Sequence, residues 1–312
     1  MSTRTSGLAP GPAPTPPPAP DAASRGRSRT SGPDRASRTR RRASDWATLG
    51  VIVLAALLVA APLVLVALNA LKSPQDYATN GPLALPRELY TDGLRAFWER
   101  VDFPRKLWNS VWISGTVAIA AVVLSVLNAY AIGIGRVRGR QWVVVAFLTA
   151  NLLPQEALLY PLYQVFKAVG LYDNPWSVVI TFVVIQSAFG TYLLASVLGS
   201  FPREILEAAA IDGAGRWTML WRVVVPICRP TIAVLMIFFF IWTWNEFLIP
   251  LTFLVSNDNQ TIPVAISVLQ GDRLMDVTTT SASALLGVLP TLLFFLLFQR
   301  TLTRGVTAGA VK

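Results

Sequence analysis

Histidine is absent from this chain of 312 residues, and Cys228 is its one cysteine. An intramolecular disulfide is therefore impossible, and metal sites of the Cys/His kind and a histidine base are excluded. Cys228 lies between Pro226 and Pro230 and reads as a small buried apolar residue. Lysine is nearly as scarce. Only Lys72, Lys106, Lys167 and Lys312 occur, and none follows a glycine as a phosphate-cradling loop requires. If ATP is used, a different chain binds it. Charge is sparse throughout, at 14% of residues against 53% hydrophobic. That balance is too apolar for an ordinary soluble domain and marks an integral membrane protein.

Six apolar stretches have the roughly 20 residues needed to cross about 30 Å of hydrocarbon. They lie near residues 46–71, 108–132, 142–162, 176–198, 229–251 and 280–299. The expected fold is all-α with six transmembrane helices. Lys and Arg fix the orientation, since cytoplasmic segments retain positive charge. With the N-terminus inside, nineteen of the 27 fall on cytoplasmic segments, among them Arg136, Arg138, Arg140, Arg203, Arg216, Arg222 and Arg229. In the outer segment from Lys72 to Lys106 the basic residues are nearly balanced by Asp76, Glu88, Asp92, Glu99 and Asp102. Both termini are expected in the cytoplasm.

The net charge of +10 does not point to nucleic acid. Residues 1–45 hold nine Arg against Asp21, Asp34 and Asp45, in a Pro-, Ala- and Ser-rich run with almost nothing to bury. This tail is expected to be disordered, with Arg38, Arg40, Arg41 and Arg42 touching anionic lipid headgroups. The apolar stretch after it is too long for a signal-peptide core of roughly 7 to 15 residues and reads as the first anchor. The transmembrane domain then occupies residues 46–312.

The segment from Glu207 to Pro226, EAAAIDGAGRWTMLWRVVVP, is polar and interrupts two apolar spans. Ser200 can cap a short helix, Pro202 suits its first turn, and Gly213 permits a left-handed stop. A second helix is expected from Trp217, with Trp217, Leu220, Trp221 and Val224 on one face and Pro226 at its end. By periodicity alone this hairpin could lie on the bilayer or dock onto protein. At about 25 residues it exceeds what a turn needs, which favours a partner. The outer connection from Asn257 to Thr280, with Asp258, Asn259, Gln260, Gln270 and Asp272, is also long enough to meet a solute-binding protein. A solvated loop is the plain alternative.

Glu207-Ala208-Ala209, Gly213 after three residues, and Val223-Val224-Val225-Pro226 after nine more resemble the EAA signature of binding-protein-dependent ABC importer permeases. Val replaces the Ile and Leu of the pattern. FPRKLWNS from Phe103, LLPQEALLYPLY from Leu152, WNEFLIPLTFL from Trp244, TIPVAI from Thr261 and the terminal GVTAGAVK are similar to the carbohydrate-importer permeases of the maltose-transporter G-subunit type. The resemblance runs from about residue 46 to the end. It departs at Ala188-Phe189-Gly190, where the family often has Pro-Phe.

The resemblance implies a permease subunit in a prokaryotic cell membrane that imports a sugar. Its implied partners are a second related permease, two ATPase subunits that carry ATP and Mg, and an extracytoplasmic solute-binding protein. Glu207, Ala208, Ala209, Asp212, Gly213 and Pro226 would form the coupling loop, about residues 200–228. In the family the Glu contacts the ATPase and the Gly makes the bend, and the C-terminal tail, here Gly309 to Lys312, can reach the same interface. Gln186, Ser187, Thr191, Asn245 and Glu246 are polar residues within spans and thus candidates for the substrate path. Trp242, Trp244 and Phe247 fit either sugar stacking or an aromatic belt. Ser114, Ala118, Ala121, Ser125 and Ala129 read as helix packing. A glycerol-phosphate-like solute or a polyol is the alternative cargo. A self-sufficient transporter ranks lower, because Glu156 and Glu246 are the only acids in spans, and an enzyme lower still, lacking a convergent catalytic cluster.

Overall fold

The structure is a computed structural model that describes residues 35–135, 137–270 and 276–310. Most of the basic tail, Arg136, Asp272 and Lys312 lie outside these residues. No strand occurs among the described residues. The chain divides into two units, Met1–Val59 and Ala60–Lys312. In the first unit the described residues belong to α1 (Arg35–Ala70), where Ile52, Leu54, Leu57, Leu58 and Val59 are all exposed. A helix so apolar on its outside requires hydrocarbon or another protein around it.

In the second unit α2 (Pro74–Asn80) and α3 (Asp92–Arg100) precede the long α4 (Phe103–Gly133). The Ser73 hydroxyl caps α2 by accepting from the Asp76 N–H at 3.1 Å. Then come α5 (Arg140–Leu152), α6 (Gln155–Ala168) and α7 (Pro175–Gly199). The opening of α7 is set by Asn174, whose Oδ1 accepts from the Trp176 N–H at 3.0 Å, followed by a proline that has no N–H to lose.

α4 and α7 form the heart of the unit. The small residues Ser114, Ala118, Ala121, Ser125 and Ala129 are all buried along the α4 seam, as their spacing implied. A Cβ on Gly133 would stand 2.7 Å from the Leu198 Cβ, so the backbones meet closely there. Between helices in lipid, this closeness matters more than apolar area, since hydrocarbon solvates a leucine as well as a neighbouring helix does. Val122, Leu194, Leu220, Leu235, Phe239 and Cys228 complete the core around the seam. A second core joins Ile113, Val178 and Phe182 to Phe166, Ile249 and Phe253.

Among the described residues, five helices are long and apolar enough to cross a membrane, and a broken pair makes a sixth if counted as one span. That pair covers the span expected near 142–162 with two helices in place of one. α5 and α6 meet at 92°, at Leu153-Pro154. Pro154 has no N–H for the ladder, and the residue before a proline is driven out of helical dihedrals.

The region after α7 needs a correction. α8 (Arg203–Ile211) is a separate helix with Pro202, not Ser200, at its N-cap. The helix expected to stop at Pro226 does not stop. α9 (Arg216–Thr218) runs through a π-helical stretch, Met219–Val224, into α10 (Val225–Asn245), a continuous span of 30 residues. A proline ring clashes with the carbonyl four residues back, and the wider π turn directly before Pro226 relieves that contact. The span ends at Asn245, short of the expected 251. Then come α11 (Leu248–Phe253), a 3₁₀ turn at Asn257–Asn259, α12 (Ile262–Gln270) and α13 (Val277–Ala310). α13 packs on α10 through Phe294 and Phe240, stacked at 4.2 Å and 9°.

Candidate functional site

Gly213 has φ of +79°, as the left-handed stop required. The Ala214 N–H donates to the Ala209 carbonyl at 2.9 Å and the Gly213 N–H to the Ala210 carbonyl at 3.1 Å. This pair of bonds is the Schellman motif, which satisfies the last carbonyls of α8 and reverses the chain. Ala208, Asp212 and Gly213 are exposed and Ala209 is half-buried. Ile205, Ile211, Trp217 and Trp221 are also exposed, with Ile211 at 86%. The expected four-residue stripe therefore splits. Leu220 and Val224 enter the core, while Trp217 and Trp221 stay outside. Pro226 is half-buried inside the continuous helix.

Glu207 lines a cleft of about 380 Å³ with Arg140, Arg203, Leu206, Phe201 and Leu198. A second cavity, of about 260 Å³, lies between Leu127, Tyr130, Arg216, Trp217 and Leu220. The Tyr130 hydroxyl donates to the Arg216 carbonyl at 3.2 Å, which ties the start of α9 to α4. The face thus offers two exposed tryptophans, two isoleucines and a carboxylate among guanidinium groups. It has the makeup of a protein-binding surface.

The polar residues expected on the substrate path separate into two groups. Gln186 and Thr191 are fully enclosed and Ser187 is buried. Gln186 Nε2 donates to Thr243 Oγ1 at 2.8 Å, and Ser125 Oγ donates to the Ser187 carbonyl at 3.2 Å, so this group lies in the seam between α4, α7 and α10. Gln186 Oε1 has no partner among the described residues. Asn245 and Glu246, by contrast, sit where α10 breaks, with Asn245 exposed and Glu246 half-buried. Trp244 is buried against Phe240, and Trp242 packs on Phe238 at 5.6 Å.

The connection from Val255 to Thr261 is held from two sides. Lys106, fully buried, donates to the Asn257 carbonyl, and Asn109 Nδ2 donates to the carbonyls of Asp258 (2.8 Å) and Gln260 (3.0 Å). Ser110 Oγ accepts from the Ile262 N–H at 2.9 Å. From the other side Asp173, at φ of +58°, accepts from the Ser256 N–H at 2.9 Å and from the Ser256 hydroxyl. Partial burial pushes the Asp173 carboxyl up, but the hydrogen bonds from Ser256 and Asn259 outweigh it and hold the group below the usual carboxylate range. Sequence reading missed this latch. The signal was a lysine with an asparagine and a serine three and four residues later, one turn on, at the start of a span.

The chain matches the model of the binding-protein-dependent transport system inner membrane component over residues 129–307. It is 30% identical to the trehalose transport system permease protein SugB of Mycobacterium tuberculosis, over 87% of this chain and 98% of that one. It is also 30% identical to the lactose transport system permease protein LacG of Rhizobium radiobacter, over 88% and 98%. Among solved structures it superposes on a chain of a bacterial ABC transporter that imports the acidic polysaccharide alginate, with a TM-score of 0.71 at 18% identity, covering 87% of this chain and 99% of that one. A chain of the same kind of transporter, in complex with an alginate pentasaccharide-bound periplasmic protein, gives 0.59 at 16% identity, covering 86% and 97%. With the family model spanning more than half of its residues, this chain belongs to the binding-protein-dependent transport system inner membrane components.

Proposed function

We propose that this chain is the transmembrane permease subunit of an ATP-driven sugar importer, and that the helix–turn–helix at Arg203–Val224 is its EAA coupling loop. The exposed Ile205, Ile211, Trp217 and Trp221 around Glu207 and the left-handed Gly213 carry this reading. The relatives named for trehalose and lactose support a sugar as cargo.

The multi-pass inner-membrane chain then has both termini in the cytoplasm, with the Gly213 turn on the same side. Two ATPase subunits, holding ATP and Mg, dock there, and their closure moves the loop. A second permease completes the translocation path, and a solute-binding protein meets the opposite end. The fold neighbour caught with its periplasmic protein supports that last partner.

Mild-detergent purification from the native membrane is expected to recover one related permease and two copies of a Walker-motif ATPase, identified by mass spectrometry. Gly213→Pro and Glu207→Lys should insert normally and cut ATP-dependent sugar uptake about tenfold or more, a coupling loss of about 1.4 kcal/mol or greater. Unchanged uptake with normal assembly in both variants would remove the coupling assignment. Recovery of this chain alone, active without ATP, would replace the importer by a self-sufficient transporter.

A further inference from the structure

Two helix breaks in this chain are built alike, and they meet. α5 ends in Asn151-Leu152 and α6 opens with Gln155-Glu156, while α10 ends at Asn245 and Glu246 leads into α11. Asn151 Nδ2 donates to the Phe147 carbonyl at 2.9 Å, and Asn245 Nδ2 to the Ile241 carbonyl at 2.8 Å. Each amide is thereby fixed on its own helix, and each Oδ1 is left without a partner among the described residues. α6 packs on α11, which brings Glu156 and Glu246 within one another's electrostatic field. Glu246 also lies near the N–H groups of Phe247, Leu248 and Ile249 at the start of α11.

The first break lies inside an apolar run, with VVVAFLTA before it, and the second stands where the α10 span ends, after FFFIWTW and before the apolar LIPLTF of α11. Interrupted backbone with polar side chains is tolerated within a span only where it faces protein or an aqueous path. Asn245 and Glu156 are exposed in this chain. A discontinuous helix such as the α5–α6 pair is also a common element of substrate sites in transporters. Acceptors dominate here, two carboxylates and two amide oxygens, and no Lys or Arg occurs in residues 141–166 or 230–272. Such a surface accepts hydrogen bonds from hydroxyl groups strongly, because the acceptors are charged, and it repels a second carboxylate.

We propose that the paired breaks, with Glu156 and Asn245 at their exposed edge, form the sugar-facing surface of this chain, and that it takes uncharged polyhydroxylated saccharides in preference to uronates. This rests on the importer reading and narrows its substrate class. It also sets the chain apart from its fold neighbour, whose cargo is the acidic polysaccharide alginate.

The intact complex in vesicles, with its binding protein and ATP, is assayed with neutral di- and trisaccharides, trehalose and lactose among them, and with digalacturonate as competitor. A neutral sugar is expected to be imported, with digalacturonate competing weakly. Glu156→Gln should lower the maximal uptake rate about five- to tenfold and raise competition by digalacturonate about tenfold, with assembly unchanged. Asn245→Leu gives a second, uncharged variant, in which uptake falls similarly without a gain in uronate competition. Normal uptake and selectivity in both assembled variants overturn the site while leaving the importer intact. Preferential import of uronate by the wild type overturns the selectivity. Absence of ATP-dependent sugar uptake in the wild type overturns the importer reading and this one with it.

Discussion

Gly190 and Gly213 are glycines for opposite reasons. Gly213 needs its φ of +79° and has open space around it. Gly190 has ordinary helical backbone but no room, since an added Cβ would stand 2.9 Å from the Ser125 Cβ and 3.0 Å from Phe239 Cζ. The first was legible in the sequence, because a glycine after a polar helix with an Asp at its end signals a left-handed stop. The second was not, because its cause lies on α4 and α10, which only the packed structure brings to it. Replacing Gly190 with Ala is expected to overpack this contact at about 1–3 kcal/mol. A lowered midpoint in thermal unfolding of the detergent-purified protein checks it, and an unchanged midpoint would mean that α4 and α7 can separate at little cost.

Hydropathy reads how many apolar residues follow one another but is blind to the direction they take. This is why the stretch 142–162 was found as apolar and its 92° turn at Pro154 was not. Pro226, the stronger-looking stop, fails to stop anything because the π turn before it makes room. The latch over Val255–Thr261 is likewise an element-scale feature, with Lys106, Asn109 and Ser110 on α4 and Asp173 before α7. Lys106→Met would remove the bond to the Asn257 carbonyl, at about 0.5–1.5 kcal/mol for the net worth of a hydrogen bond, since water can reach that exposed carbonyl. Faster proteolysis of the 254–262 connection in intact membranes would reveal it. Asp173 supplies the pH dependence. Its carboxyl is held below the value of about 3.9 typical of an unfolded chain, so its stabilising effect is present above that pH and is lost as pH falls through the depressed folded value. The Asp173→Asn variant should lose that acid-dependent step in proteolysis, and an identical pH profile in both proteins would show the aspartate to be idle.

At the scale of the whole chain, much apolar surface remains uncovered. Leu289, Leu293, Leu296 and Leu297 on α13 are exposed, as are the apolar residues of α1. Composition alone had placed this surface in a membrane. It could not assign any of it to lipid or to protein, because both are equally apolar neighbours. If a second permease covers part of it, binding stabilises the folded chain by mass action. Co-expression with the related permease is then expected to raise the thermal midpoint of this chain by several degrees over the chain expressed alone, about 1 kcal/mol shifting it by roughly 2–4 °C at this size. Equal midpoints would mean that the exposed faces are satisfied by lipid.

The uninterrupted helix from Arg216 to Asn245 joins the two regions on which the functional reading rests. Its 30 residues make a rod about 45 Å long, at about 1.5 Å each. Held at one end and tilted by about 10°, a rod of that length sweeps its other end through about 8 Å. A small nudge delivered beside the Gly213 turn thus arrives at Asn245 as a displacement on the scale of a sugar ring, with no moving part between the two beyond the stiffness of a single helix.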